Sequence, residues 1–160
     1  MFAGTTPATR AAAFGAGYSG RVKFVEAEAL INARSATVWD VITDAGNFPV
    51  WESGVTEIHG EIRNGSVIRI RTASGGKRVF RLRVQQMPGE VMTWKGGIPL
   101  GLFTGLRTFR LTPQGPLTLL SVREEFTGPL VSALWKRMPD LQPELDAYLK
   151  AAKARAELFG

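Results

Sequence analysis

LQPELDAYLKAAKARA, residues 141–156, decides how the rest of this sequence must pack. Leu141, Leu145, Tyr148, Leu149, Ala152 and Ala156 recur at three- and four-residue intervals, which predicts a long helix with one apolar stripe. Asp140 stands where a cap belongs, and Pro143 is tolerated in a first turn. Lys150, Lys153 and Arg155 fall toward the C-terminal end, where cations favour the helix dipole. A helix with one oily stripe must bury it, so the preceding residues have to supply a matching surface.

They do so with the two-residue period of strands. In Arg21–Ile31, RVKFVEAEALI, Val22, Phe24 and Glu26 share one face and Lys23, Val25 and Ala27 the other. Ser35 reads as the N-cap of a short helix, ATVWDVITD, with Val38, Trp39 and Ile42 on one side and Gly46 ending it. NFPVWES follows as a turn or half-helix. Val55–Ile62 and Ser66–Thr72 flank Arg63-Asn64-Gly65, and Asn-Gly is the strongest short hairpin signal. Ser74-Gly75-Gly76 leads into Lys77–Met87, where Phe80, Leu82 and Val84 oppose Arg81, Arg83 and Gln85. Pro88-Gly89-Glu90 turns into Val91–Lys95, and Leu106–Leu111 and Leu117–Phe126 form a last hairpin. Leu130–Arg137 reads as a turn or two of helix, broken near Pro139. The expected fold is α+β: about seven strands in one curved antiparallel sheet, two short helices after the first strand, and the sheet wrapped around the C-terminal helix. Residues 1–19 read as a flexible N-terminal arm and 20–160 as a single domain.

Composition narrows the chemistry. The chain has 160 residues, 44% hydrophobic and 21% charged, enough for one cored domain. It has no cysteine, which removes disulfides, thiol nucleophiles and thiolate metal sites. Its single histidine, His59, sits beside Glu57 and Glu61 and reads as solvated, which speaks against a histidine zinc site. No metal or organic cofactor is implied. Gly15–Gly20 fits GxGxxG, but no strand precedes it and a strand follows, so it is a poor dinucleotide motif. The net charge of +6 raises the question of nucleic acid. The cations Arg69, Arg71, Lys77, Arg78, Arg81 and Arg83 are spread without interleaved aromatics, so a solvated basic sheet face is expected and no nucleic-acid partner. No stretch reads as a signal peptide or a stable membrane span, so a cytoplasmic protein is expected. Exposed sheet edges leave a homodimer open.

The order strand, two short helices, six strands, long helix resembles the helix-grip order of the START-like (Bet v 1-like, SRPBCC) superfamily. That group includes the polyketide cyclase/dehydrase and lipid-transport proteins and the plant pathogenesis allergens. INARSATVWDVITDAGNFPVW, residues 31–51, resembles the family's entry. WKGGIPLGLFTGLRTFRLTP, residues 94–113, and VREEFTGPL, residues 122–130, resemble its central loop and last strand. The resemblance spans roughly residues 20–158 and implies a hydrophobic cavity between sheet and helix for a lipid, polyketide or similar molecule. It does not choose among binding, cyclisation and a co-chaperone-like role. The glycine-rich apolar run GGIPLGLFTGL, residues 96–106, would then lie near the cavity entrance as a gate or edge contact, partly exposed.

Strand parity supplies the candidate residues. If Phe109 and Leu111 face inward, so does Arg107; if Val122 and Phe126 do, so does Glu124. Met92, Trp94, Phe80 and Leu82 share that face. An inward arginine and glutamate on adjacent strands would pair, since either alone is costly to bury. Such a pair is either a structural ion bridge or a ligand anchor. As an anchor, Arg107 holds a carboxylate, carbonyl or enolate while Glu124 orients it or moves a proton. Trp39 reads as core, Trp51 as a cavity-mouth residue and Phe103 as part of the entrance cover. The expected ligand-binding set is Trp51, Phe80, Met92, Trp94, Phe103, Arg107, Phe109, Glu124, Leu141, Leu145 and Tyr148. Arg107 and Glu124, with Tyr148 beside them, are the candidates for any catalysis. The leading reading is a protein that binds a hydrophobic small molecule; a polyketide aromatase/cyclase-type enzyme is the alternative. A partner-binding or co-chaperone-like module, the third, would show an exposed apolar patch and no enclosed cavity.

Overall fold

In the computed structural model, which describes residues 18–19 and 22–160, α3 (Gln142–Glu157) lies along the concave side of one antiparallel sheet. The strands are β1 (Tyr18–Ser19), β2 (Val22–Ile31), β3 (Val55–His59), β4 (Val67–Thr72), β5 (Phe80–Met87), β6 (Val91–Ile98), β7 (Phe103–Gln114) and β8 (Leu117–Thr127). They lie in the order β1-β2-β8-β7-β6-β5-β4-β3. Thus β3 to β8 form a meander, and β2 closes on the last strand. Seven strands carry the sheet; the two-residue β1 adds a short edge to β2. The arm expected over residues 1–19, and the motif Gly15–Gly20, otherwise lie outside the described residues.

Two short helices, α1 (Ser35–Thr43) and α2 (Val131–Trp135), cover the ends of the sheet. Ser35 does not cap α1. It is the first helical residue, Arg34 holds the cap position, and no side chain bonds the free N–H groups there. The Ser35 hydroxyl lies 3.3 Å from that of Thr118, a buried residue that donates to the Ala33 carbonyl at 2.8 Å. The helix also ends before Gly46, at Thr43, whose hydroxyl bonds back to the Trp39 carbonyl. Asp140 does serve α3: its carboxylate accepts from the Gln142 N–H, and Pro143 sits in the first turn.

The apolar stripe of α3 is buried as its spacing requires, with Leu145, Tyr148, Leu149, Ala152 and Ala156 all nearly inaccessible. Polar contacts fix its direction along β2. The Gln142 amide donates to the Glu26 carbonyl, Lys153 to the Leu30 carbonyl, and Glu157 accepts from the Asn32 N–H. Ile31, Ile68, Val84, Met92, Phe109, Leu120 and Val122 face the helix from the sheet and are buried.

The glycine-rich run is largely strand. β6 continues to Ile98, a turn at Pro99–Gly101 reverses the chain, and β7 resumes at Phe103. Gly97 explains the close pairing there: a β-carbon on it would stand 2.0 Å from the Phe103 carbonyl oxygen.

Candidate functional site

One cross-strand row carries the site. Val25, Glu124, Arg107, Trp94 and Val84 are successive register partners across β2, β8, β7, β6 and β5. Partners in an antiparallel ladder point to the same side, and Val25, Trp94 and Val84 are buried. The row therefore faces α3, and it places an arginine and a glutamate side by side in an apolar wall.

They pair. Arg107 Nη2 donates to Glu124 Oε2 at 2.8 Å, with the two side chains 23% and 20% exposed. Burial works against the guanidinium charge, but Glu124, by charge and hydrogen bond, more than offsets it and raises the Arg107 pKa. The guanidinium also lies 5.9 Å from the Tyr148 ring, which α3 lowers onto the sheet. Burial pushes the Tyr148 phenol well above its ordinary value, with Arg107 opposing, so the hydroxyl stays protonated at neutral pH.

On the deep side of this row the interior is filled by rings. Trp94 packs on Phe109 at 5.0 Å, Phe109 on Tyr148 at 5.8 Å, Tyr148 on Trp51 at 5.7 Å and Trp51 on Phe48 at 5.9 Å. Two polar atoms in this cluster, Trp94 Nε1 and the Tyr148 hydroxyl, are buried and reach no hydrogen-bond partner among the described residues. Buried donors are normally satisfied, so each orphan calls for a reason. On the other side, toward the β6–β7 turn, the row next to the ion pair is Phe126, Gly105 and Gly96. A second aromatic step leads outward there, with Phe126 5.6 Å from both Phe103 and Trp135.

Most of the expected residues converge on this one interior. Trp51, Met92, Trp94, Phe109, Leu145 and Tyr148 are buried, while Phe103, Leu141, Arg107 and Glu124 are half-buried. Phe80 stands apart: it begins β5, is 38% exposed, and its ring rests on the β4–β5 connection at Gly75. Phe48 was not among the expected residues, yet it is 1% exposed and touches both Trp51 and Trp94. Its three-residue spacing from Trp51 was the available signal. Trp39 is half-buried against the core, and His59 is exposed and bonded to Glu57. Trp51 also borders a surface depression of about 400 Å³ between α1 and the end of α3, with Asp40, Asp44 and Arg155 on its rim. Among the described residues no group of acidic or histidine side chains is arranged to hold a metal ion.

The family model for polyketide cyclase/dehydrase and lipid transport matches residues 24–157. The chain belongs to this family. No curated protein matches the sequence. Solved structures share the fold at low identity. The di-domain ARO/CYC StfQ of the steffimycin biosynthetic pathway is 18% identical, with a TM-score of 0.69 over 87% of this chain and 52% of its own. This chain thus spans about half of that protein. The Zhui aromatase/cyclase from Streptomyces sp. R1128 is 16% identical, TM-score 0.68, over 85% of this chain and 94% of its own. A START superfamily protein from Mycobacterium smegmatis is 21% identical, TM-score 0.64, over 86% and 99%. These likenesses bear on the helix-grip fold. No helix among the described residues is long and apolar enough to cross a bilayer.

Proposed function

We propose that the chain binds a mostly apolar small molecule carrying an oxygen group, with the apolar part between sheet and α3 and the oxygen at Arg107. The observation that carries this reading is the in-register pair Arg107–Glu124, largely buried in a wall that is otherwise apolar and beside two unpartnered donors. A carboxylate, carbonyl or enolate oxygen suits that group, because Arg107, Trp94 and Tyr148 all donate. The rings on the deep side are in mutual contact, so a large ligand displaces some of them. The test is native mass spectrometry with a thermal-shift panel of fatty acids and aromatic polyketides. A retained ligand that raises the melting temperature of the wild type, and not of an Arg107→Met/Glu124→Leu variant, supports it. Equal binding by both proteins, or no binding by either, sinks it.

A catalytic reading rests on the same three residues. Tyr148 is a protonated acid near Arg107, and Glu124 is a carboxylate within reach of it, the parts needed to enolise and dehydrate a poly-β-keto chain. The resemblance to two aromatase/cyclases supports testing it. Turnover of a poly-β-keto substrate that survives both Arg107→Ala and Glu124→Gln removes those roles.

A further inference from the structure

Leu100 is 95% exposed and holds a left-handed backbone, φ +66°, at the tip of the β6–β7 turn. Leucine adopts that conformation rarely, and glycine or asparagine would be easier there. Its surroundings are as unusual. The strands alternate in direction, so the β4–β5, β6–β7 and β8–α2 connections meet at one end of the sheet. Among the described residues, Val79, Phe80, Ile98, Leu100, Leu102 and Leu130 are exposed large apolar side chains at that end. The tip is braced, since the Leu130 N–H donates to the Leu102 carbonyl and Gly128 packs against the Gly101 and Leu102 carbonyls. The β4–β5, β6–β7 and β8–α2 connections, residues 73–79, 99–102 and 128–130, contain no Asp or Glu, and neither does the chain from α2 up to Asp140. The β4–β5 connection carries Lys77 and Arg78, and Lys136 and Arg137 follow α2; all four are exposed and none is in an ion pair among the described residues.

We propose that this rim docks on a lipid bilayer bearing anionic headgroups. Leu100, with Ile98 and Leu102, enters the boundary between headgroups and acyl chains, while Lys77, Arg78, Lys136 and Arg137 meet the headgroups. A protruding leucine finds apolar surroundings on every side in a bilayer, whereas a flat protein surface covers only part of it. A rim that carries these four cations complements an anionic surface. The docked end is also the end at which the aromatic step Trp135–Phe126–Phe103 leads toward Arg107.

Co-sedimentation of the full chain with phosphatidylcholine vesicles, with and without phosphatidylserine, tests this. Binding is expected to anionic vesicles and to fall about tenfold or more on neutral ones, and to weaken with added salt. Leu100→Asn tolerates the backbone, so it is expected to abolish binding while keeping the melting temperature. Lys77→Glu/Arg78→Glu should reduce anionic vesicles to the neutral level. No binding to anionic vesicles at low salt overturns the proposal, as does binding indifferent to Leu100→Asn. A dimer in gel filtration that Leu100→Asn dissolves also overturns it, because the patch is then an interface between copies.

Discussion

Two arginine–glutamate clusters lie on opposite faces of the sheet and share strand β8. Arg107 and Glu124 point inward; Arg123, the residue before Glu124, points outward and bonds both Glu125 and Glu26. The outer guanidinium also stacks on Phe24 at 3.8 Å, so two carboxylates and a ring surround it. The inner one has a single carboxylate, a tyrosine ring at 5.9 Å and two unpartnered donors nearby. The chemistry of the residues is the same and both clusters rest on β8, the inner with β7 and the outer with β2. What differs is the degree of completion: the outer cluster is satisfied by the protein, and the inner one leaves hydrogen-bonding capacity facing an apolar interior. A structural ion bridge has no need of that surplus, whereas the binding site proposed above would use it.

The largest expected effect breaks the comparison at its centre. Glu124→Ala leaves the Arg107 charge half-buried and unpaired, which should cost about 3 kcal/mol of stability. Glu26→Ala, on the outer cluster, should cost less than about 1 kcal/mol, because Glu125 remains and water screens the pair. Urea denaturation of the two variants measures the difference, and equal costs would mean that the inner pair is not the special one. Replacing both inner partners, Arg107→Met/Glu124→Leu, should return stability to within about 1 kcal/mol of wild type while ligand retention is lost.

Much of this was legible beforehand because a strand has a period of two. Once Phe109 and Val122 are inward, Arg107 and Glu124 must be, and the register places them directly opposite. The same rule put Phe80 inward, but parity says nothing about where the cover ends, and β5 starts at the uncovered rim. Phe48 escaped because it sits in an irregular turn, where no period applies. Ser35 misled for a related reason: a cap signal is local, and the Thr118 hydroxyl, 83 residues away, holds it instead. The apolar run at the β6–β7 turn was expected as a partly exposed entrance. Its exposure is observed, while its continuation as two paired strands was hidden by glycines that depress strand propensity.

Tyr148→Phe sharpens the contrast at intermediate scale. Removing a buried hydroxyl without a partner should stabilise the protein by up to about 1 kcal/mol at neutral pH. A residue whose loss improves stability is retained for another reason, so the same variant should lose ligand affinity. The alkaline limb gives a second readout. Burial raises the folded phenol above its ordinary value of 10.0, so above that pH the unfolded chain gives up the proton first. Wild-type stability should therefore fall as pH rises past about 10, and Tyr148→Phe should flatten that fall. Parallel alkaline limbs would show that the hydroxyl is not buried as described.

The smallest effect belongs to a third pair, at the far end of α3, which separates completion from burial. Glu157 accepts from Lys153 and from the Asn32 N–H, and these bonds hold its pKa below the ordinary 4.5 although its side chain is one-third exposed. A lowered folded pKa means that the unfolded chain takes up the proton first as pH falls. The stabilisation is thus present above about pH 4.5 and is lost as pH drops through the folded value. Glu157→Gln should reduce the acid sensitivity of the urea midpoint by a few tenths of a kcal/mol in that window and leave the alkaline limb untouched. Because Glu157 ties Asn32, just after β2, to α3 through bonds within the protein, its removal should not alter ligand retention. If it did, a complete ion pair would be as functional as an incomplete one, and the distinction between Arg107 and Arg123 would fail.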